Sequence, residues 1–282
     1  MPGWLGSWIR QNMTGADAPP PPEPLPEDGW SRTGRVMRIG VVAVAVLVLL
    51  GGAGWYALSH RHHNWAVVVI AGDWHAHDGS ASDAFDNSRR DVSAELGQIG
   101  FNDAYMMQFS VRPDLDTTTH PMASTAADIA QELGLLTSET PDGCLLYFSS
   151  HGAPQGVLVG SALLSPTSLA EIVDSTCGSR PTVVIVSACY SGVFVPALQG
   201  PNRMVMTAAR ADRTSFGCGQ ENRYPYFDDC VVHAIPKVHS FPQLADKVKD
   251  CVQDKEIDTG MSPSSDPQIS IGSYVADNLP TW

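Results

Sequence analysis

Two apolar runs in this chain end in residues able to do chemistry. Leu145-Leu146-Tyr147-Phe148 leads into Ser149-Ser150-His151-Gly152, and Val183-Val184-Ile185-Val186 leads into Ser187-Ala188-Cys189-Tyr190-Ser191-Gly192. A thiol and an imidazole brought to one place form the minimum set for nucleophilic acyl transfer. The thiolate attacks a carbonyl, the imidazole hands a proton to the leaving amine, and backbone N–H groups hold the oxyanion. Gly152 suits that last role, because the missing Cβ lets the backbone come close to a substrate. Singly, each element is weak: a His after a strand is usually structural and a Cys closing a strand is usually core. Together, at the same end of two apolar strands, they point to a site.

The elements that must position these residues alternate between two periodicities. Trp65-Ala66-Val67-Val68-Val69-Ile70 reads as a fully buried strand, and Val92, Leu96 and Ile99 fall on one helical face. Ala104 to Phe109 reads as a second strand, Ile129, Leu133 and Leu136 as a second helix, and Leu145–Phe148 as the third strand. Ser165-Pro166 starts a helix carrying Leu169, Ile172 and Val173, with Ser as cap and Pro in the first turn. Val183–Val186, Met204–Met206 and Ile269 to Val275 read as further strands, and Leu244, Val248 and Val252 as a late helix. This alternation predicts an α/β sandwich with a mostly parallel sheet, whose active groups gather beyond the carboxyl ends of the strands.

The N-terminal part is of another kind. Residues 1–38, with Pro19-Pro20-Pro21-Pro22-Glu23-Pro24-Leu25-Pro26, read as a Pro-rich disordered tail. Ile39 to Leu58 is an uncharged stretch of 20 residues. At about 1.5 Å per residue it matches a hydrocarbon core of about 30 Å, so it is expected to be one transmembrane helix. Arg32, Arg35 and Arg38 precede it and only Arg61 follows closely, which places the N-terminus in the cytoplasm and the rest outside. Ala57-Leu58-Ser59 would suit a cleaved signal peptide, but the long polar lead and the long apolar region favour an anchor. Residues 59–64 are then a juxtamembrane linker, and 65–282 the exported domain.

Charge narrows the function. The chain of 282 residues carries a formal charge of -13, and residues 65–282 hold 12 Lys+Arg against 26 Asp+Glu. Such an acidic domain is not suited to nucleic acid, which demands a basic face. No Walker loop, dinucleotide fingerprint or HExxH motif occurs, so no cofactor is implied. Asp73-Trp74-His75-Ala76-His77-Asp78 and the His60, His62, His63 group look superficially like metal ligands, but solvation or substrate contact is the better reading, and no metal is expected.

The two loaded segments, Tyr147-Phe148-Ser149-Ser150-His151-Gly152 and Val186-Ser187-Ala188-Cys189-Tyr190-Ser191-Gly192, resemble the two signatures of the legumain (asparaginyl endopeptidase) family. That family includes the catalytic subunit of the GPI transamidase and shares a caspase-like fold with gingipains. Met206-Thr207-Ala208-Ala209 through Arg213-Thr214-Ser215-Phe216-Gly217-Cys218 resembles the segment flanking the specificity pocket, and Tyr226-Phe227-Asp228-Asp229 the stretch that supplies an acidic pocket residue. The resemblance implies a caspase-like three-layer α/β/α sandwich over roughly residues 65–275. It implies His151 as catalytic imidazole, Cys189 as nucleophile, the amides of Gly152 and Cys189 as oxyanion hole, and Asp229, Thr214 and Ser215 as pocket residues. The implied substrate is a peptide or protein.

Three positions depart from the family pattern. Ser150 stands where legumain has an acidic residue, Ser187 where it has Glu, and the pocket Arg corresponds ambiguously to Asn87 or Arg89. The chemistry transfers, whereas asparagine specificity does not. An extracytoplasmic compartment permits disulfides. Cys144 with Cys177, at the entrances of neighbouring strands, is one candidate pair and Cys230 with Cys251 another, leaving Cys218 free; several connectivities stay open. The expectation is a membrane-anchored, bacterial-type cysteine endopeptidase in the plasma membrane. The alternatives are a transamidase or ligase using the same dyad, and a non-catalytic tethered scaffold.

Overall fold

In the computed structural model the described residues are 41–42, 45–46, 63–140 and 142–282. The predicted membrane span lies almost wholly outside them. Val41, Val42, Ala45 and Val46 are helical and exposed. Among the described residues no helix is long and apolar enough to cross a membrane. The chain divides into two units, Met1–Tyr56 and Ala57–Trp282, and every strand among the described residues belongs to the second.

Ten strands occur among its described residues. They are β1 Trp65–Ala71, β2 Met106–Ser110, β3 Met122–Ala123, β4 Gly143–Ser149, β5 Gly152–Ala153, β6 Gly156–Val159, β7 Ala162–Leu164, β8 Thr182–Ser187, β9 Arg203–Thr207 and β10 Gln268–Ile271. Seven of them form the main sheet in the order β10-β9-β8-β4-β1-β2-β3, in which every pairing is parallel except β9 with β10. The other three, β5, β6 and β7, make a small antiparallel sheet that grows directly from His151. β1, β4 and β8 are continuous apolar runs because both faces of the main sheet are covered. Trp65, Val67 and Val69 pack to one side, and Ala66, Val68 and Ile70 to the other.

The first side is covered by helix α1 (Ala84–Gln98) through Val92 and Leu96, by α5 (Tyr226–Ala234) through Phe227 and Val231, and by α6 (Phe241–Thr259) through Leu244, Val248 and Val252. On the second, α2 (Ala126–Glu139) contributes Ile129, Leu133 and Leu136, α3 (Pro166–Thr176) contributes Leu169 and Val173, and the short α4 (Val195–Leu198) contributes Leu198. Each such side chain, fully buried, stabilises by roughly 1.5–3 kcal/mol. Caps set the starts: Thr125, Ser165 and Ser240 accept from the backbone N–H of Asp128, Ser168 and Gln243.

Some element boundaries differ from those the sequence predicts. β2 begins only at Met106, after a 3-10 turn over Asp103–Tyr105. The last strand stops at Ile271, and Val275 starts another 3-10 turn. Disulfides join Cys144 to Cys177 and Cys230 to Cys251, with Cα separations of 6.1 and 5.8 Å. Cys189 and Cys218 are free.

Candidate active site

The site stands where β4 and β8 stop. Their register pairs Ser149 with Ser187. His151 and Cys189 are each two residues beyond that pair, so parallel pairing alone carries them out of the same sheet edge. The Ser150 N–H donates to Ser187 O at 3.0 Å and holds the two exits together. Past Cys189 the chain turns sharply: Tyr190 takes a left-handed φ of 58° and its N–H donates to Arg213 O at 2.7 Å. A non-glycine residue in that region costs about 1–2 kcal/mol, offset here by the surrounding contacts.

The Cys189 thiol rests on the 214–219 loop. Ser215 N–H donates to Sγ at 3.3 Å, and the thiol lies 3.5 Å from Ser215 O. Gly152 packs against the Cys189 backbone so closely that a Cβ at 152 would lie 2.1 Å from Cys189 O. In the β5–β6 pairing the Leu158 N–H donates to His151 O at 2.9 Å and Gly152 faces Val157. By the alternation of an antiparallel ladder, Gly152 occupies a non-hydrogen-bonded position and its N–H points away from β6. The Cys189 amide donates to no protein acceptor among the described residues.

His151 is fixed from the β1 side. Its Nε2 lies 2.9 Å from His75 O. A carbonyl only accepts, so Nε2 carries a proton, and in the neutral imidazole the lone pair is then on Nδ1. Asp73 Oδ2 is 3.9 Å from the same Nε2, while Oδ1 accepts from the amides of Trp74 and His75 and meets His75 Nδ1 at 2.7 Å. The Phe85 ring stands edge-on to the imidazole at 5.1 Å. The Asp73–Asp78 segment thus serves the histidine, and among the described residues no group of His, Cys, Asp or Glu has the arrangement to hold a metal.

His151 and Cys189 open into one hollow of about 430 Å³, with Thr214, Ser215, Phe216, Gly217 and Cys218 on one wall and Glu221, Tyr226 and Met261 around it. Thr214 and Ser215 thus share a hollow with His151 and Cys189. Asp229, Ser187, Ser150, Asn87 and Arg89 do not line it. Asp229 points away, pairing with Lys255 at 2.7 Å and His233 at 3.3 Å. Its neighbour Asp228 faces the sheet instead, because one residue turns a helix by about 100°. Asp228 is fully buried; its Oδ2 accepts from Ser149 Oγ at 2.7 Å and Ser187 Oγ at 2.9 Å, and its Oδ1 from the Tyr147 hydroxyl. Burial pushes its pKa up to about 6, against the opposing effect of those hydroxyls.

Ser187 is thus committed beneath the strands, and Ser150 is buried with its hydroxyl on Leu158 O at 2.7 Å. Arg89, fully buried, ties α1 to β2 and the 113–119 loop through Asp86, Gln108, Thr119 and Asp116. Asn87 lines an adjoining hollow and donates to Arg223 O at 3.1 Å. Sequence reasoning did not single out Glu221, Tyr226 or Met261, which reach the hollow from loops and a helix start far along the chain.

The architecture is that of the caspase-like α/β proteins: caspase-1 from Spodoptera frugiperda superposes with a TM-score of 0.54 at 13% identity, covering 76% of this chain and 88% of that one. The peptidase C13 family model matches residues 123–268, more than half of the chain and inclusive of His151 and Cys189. The chain belongs to that family, the legumain family, and is a cysteine endopeptidase. No curated protein matches its sequence.

Proposed function

We propose that the chain hydrolyses peptide bonds with Cys189 as nucleophile and His151 as general acid and base. The observation that carries this reading is the Ser149–Ser187 register, which delivers both residues to one hollow. The Nδ1 lone pair takes the thiol proton. The thiolate forms a C–S bond with the substrate carbonyl, and the amides of Gly152 and Cys189 hold the oxyanion. Collapse breaks the C–N bond, with His151 returning its proton to the leaving amine. Water then attacks the thioester while His151 accepts its proton, the C–S bond breaks and the thiolate is restored.

Ile39–Leu58 anchors this domain in a plasma membrane, with the N-terminus cytoplasmic and the enzyme outside. The arginines before the span and the two disulfides, which belong to oxidising compartments, support that placement. The test is to incubate the full chain, in detergent, with a mixed peptide library beside a Cys189→Ala control and to map new termini by mass spectrometry. Cleavage confined to the wild type is the expected result. Equal cleavage in both would remove Cys189 from the chemistry.

A further inference from the structure

We infer that the site selects a lysine or arginine before the scissile bond and that Glu221 reads its charge, an inference that rests on the cysteine-peptidase reading above. The hollow shared by Cys189 and His151 is lined by a single carboxylate, Glu221, and by no Lys or Arg. Its other polar walls are Thr214, Ser215 and Asn222 together with two imidazoles, His77 and His151.

Glu221 has no counter-ion. Its Oε1 accepts from Asn222 Nδ2 at 2.9 Å, and among the described residues no Lys, Arg or His pairs with it. The surrounding acids are engaged: Asp83 with Arg112 at 2.8 Å, Asp229 with Lys255 at 2.7 Å, Asp266 with Lys249 at 3.6 Å and Asp228 with three hydroxyls. Uncompensated negative charge beside the nucleophile is thus concentrated in one side chain. The loop makes room for it at Gly219, where a Cβ would come within 2.3 Å of both Glu221 carboxylate oxygens.

The remaining walls suit a long cationic side chain. Phe216, Tyr226 and Met261 offer apolar surface to its methylene stem. The Tyr226 ring already attracts an ammonium group, Lys255 Nζ lying 5.3 Å from its centroid. A further anion is unwelcome: the Cys218 thiol on the same wall is pushed up in pKa by burial first, and then by the charges of Cys189 and Glu221. An acidic substrate side chain meets this repulsion, an amide gains no ion pair, and a cation gains one.

The experiment compares fluorogenic peptides identical except for Lys, Arg, Ala, Asn or Asp before the cleaved bond, using the full chain as wild type, Glu221→Gln, Glu221→Lys and Cys189→Ala. Because Glu221 is an exposed loop residue, the variants should keep the wild-type melting temperature. The expected result is a Lys- or Arg-to-Asn ratio of kcat/KM that falls about fivefold in Glu221→Gln, mainly through KM, as befits an ion pair made by an exposed carboxylate. Glu221→Lys should move the preference towards Asp. Wild-type preference for a non-basic residue, or a basic preference untouched by Glu221→Gln, overturns the inference and leaves the peptidase standing. Cleavage of none of the peptides, or cleavage that survives Cys189→Ala, removes the peptidase reading and this inference with it.

Discussion

Ser149 and Ser187, opposite each other at the ends of β4 and β8, donate to the same oxygen, Oδ2 of Asp228. One buried carboxylate from α5 therefore ties together the two strand ends from which His151 and Cys189 emerge. The residues proposed for the chemistry stand above the sheet edge, and Asp228, below it, holds the edge in register.

This carboxylate makes stability depend on pH in a direction opposite to the usual one. Its folded pKa is raised from 3.8 to about 6. The folded state therefore binds the Asp228 proton more tightly than the unfolded chain does. The contribution is fully present below about pH 4 and is lost as pH rises through about 6, a change of roughly 3 kcal/mol. Asp228→Asn has no such proton. Urea unfolding of both proteins should show the wild type losing roughly 2 kcal/mol relative to the variant between pH 4 and pH 7. A pH-independent difference would exclude this role for Asp228.

Gly152 is required by space, since a Cβ at this position would lie 2.1 Å from the Cys189 carbonyl oxygen. Gly152→Ala must push the His151 and Cys189 loops apart by about an ångström, which costs on the order of 100-fold in rate at a positioned site. Peptide turnover should fall by that amount, with Cys189 still free to react with iodoacetamide. Turnover within twofold of wild type would show that the two loops tolerate the shift.

The Cys230–Cys251 bridge pins α5, and so Asp228 two residues earlier, to α6. Closing a loop of 21 residues is worth about 3 kcal/mol in the chain-entropy account. The double variant Cys230→Ala, Cys251→Ala should melt about 6–12 °C lower in a domain of this size. Calorimetry of wild type and variant checks this, and an unchanged Tm would mean that helix packing alone holds α5.

Much of this was already written along the chain. β1, β4 and β8 are apolar runs that only a doubly covered sheet can bury, and His151 and Cys189 follow two of them closely. The caps at Ser165 and Ser240 are equally local. Such features depend on side-chain type and near-neighbour spacing, and those survive in a one-dimensional reading.

Tertiary structure decided which of two adjacent aspartates enters the protein and which pairs with Lys255. It buried Arg89 among acids from two segments and sent Ser187 beneath the sheet. It also brought Glu221, Tyr226 and Met261 around the hollow. Each outcome turns on the rotation of a helix or the path of a loop, fixed by packing between residues distant in sequence. Strand ends can be read from composition because burial of a run is local; the walls between them cannot, because no short window contains both sides of a contact.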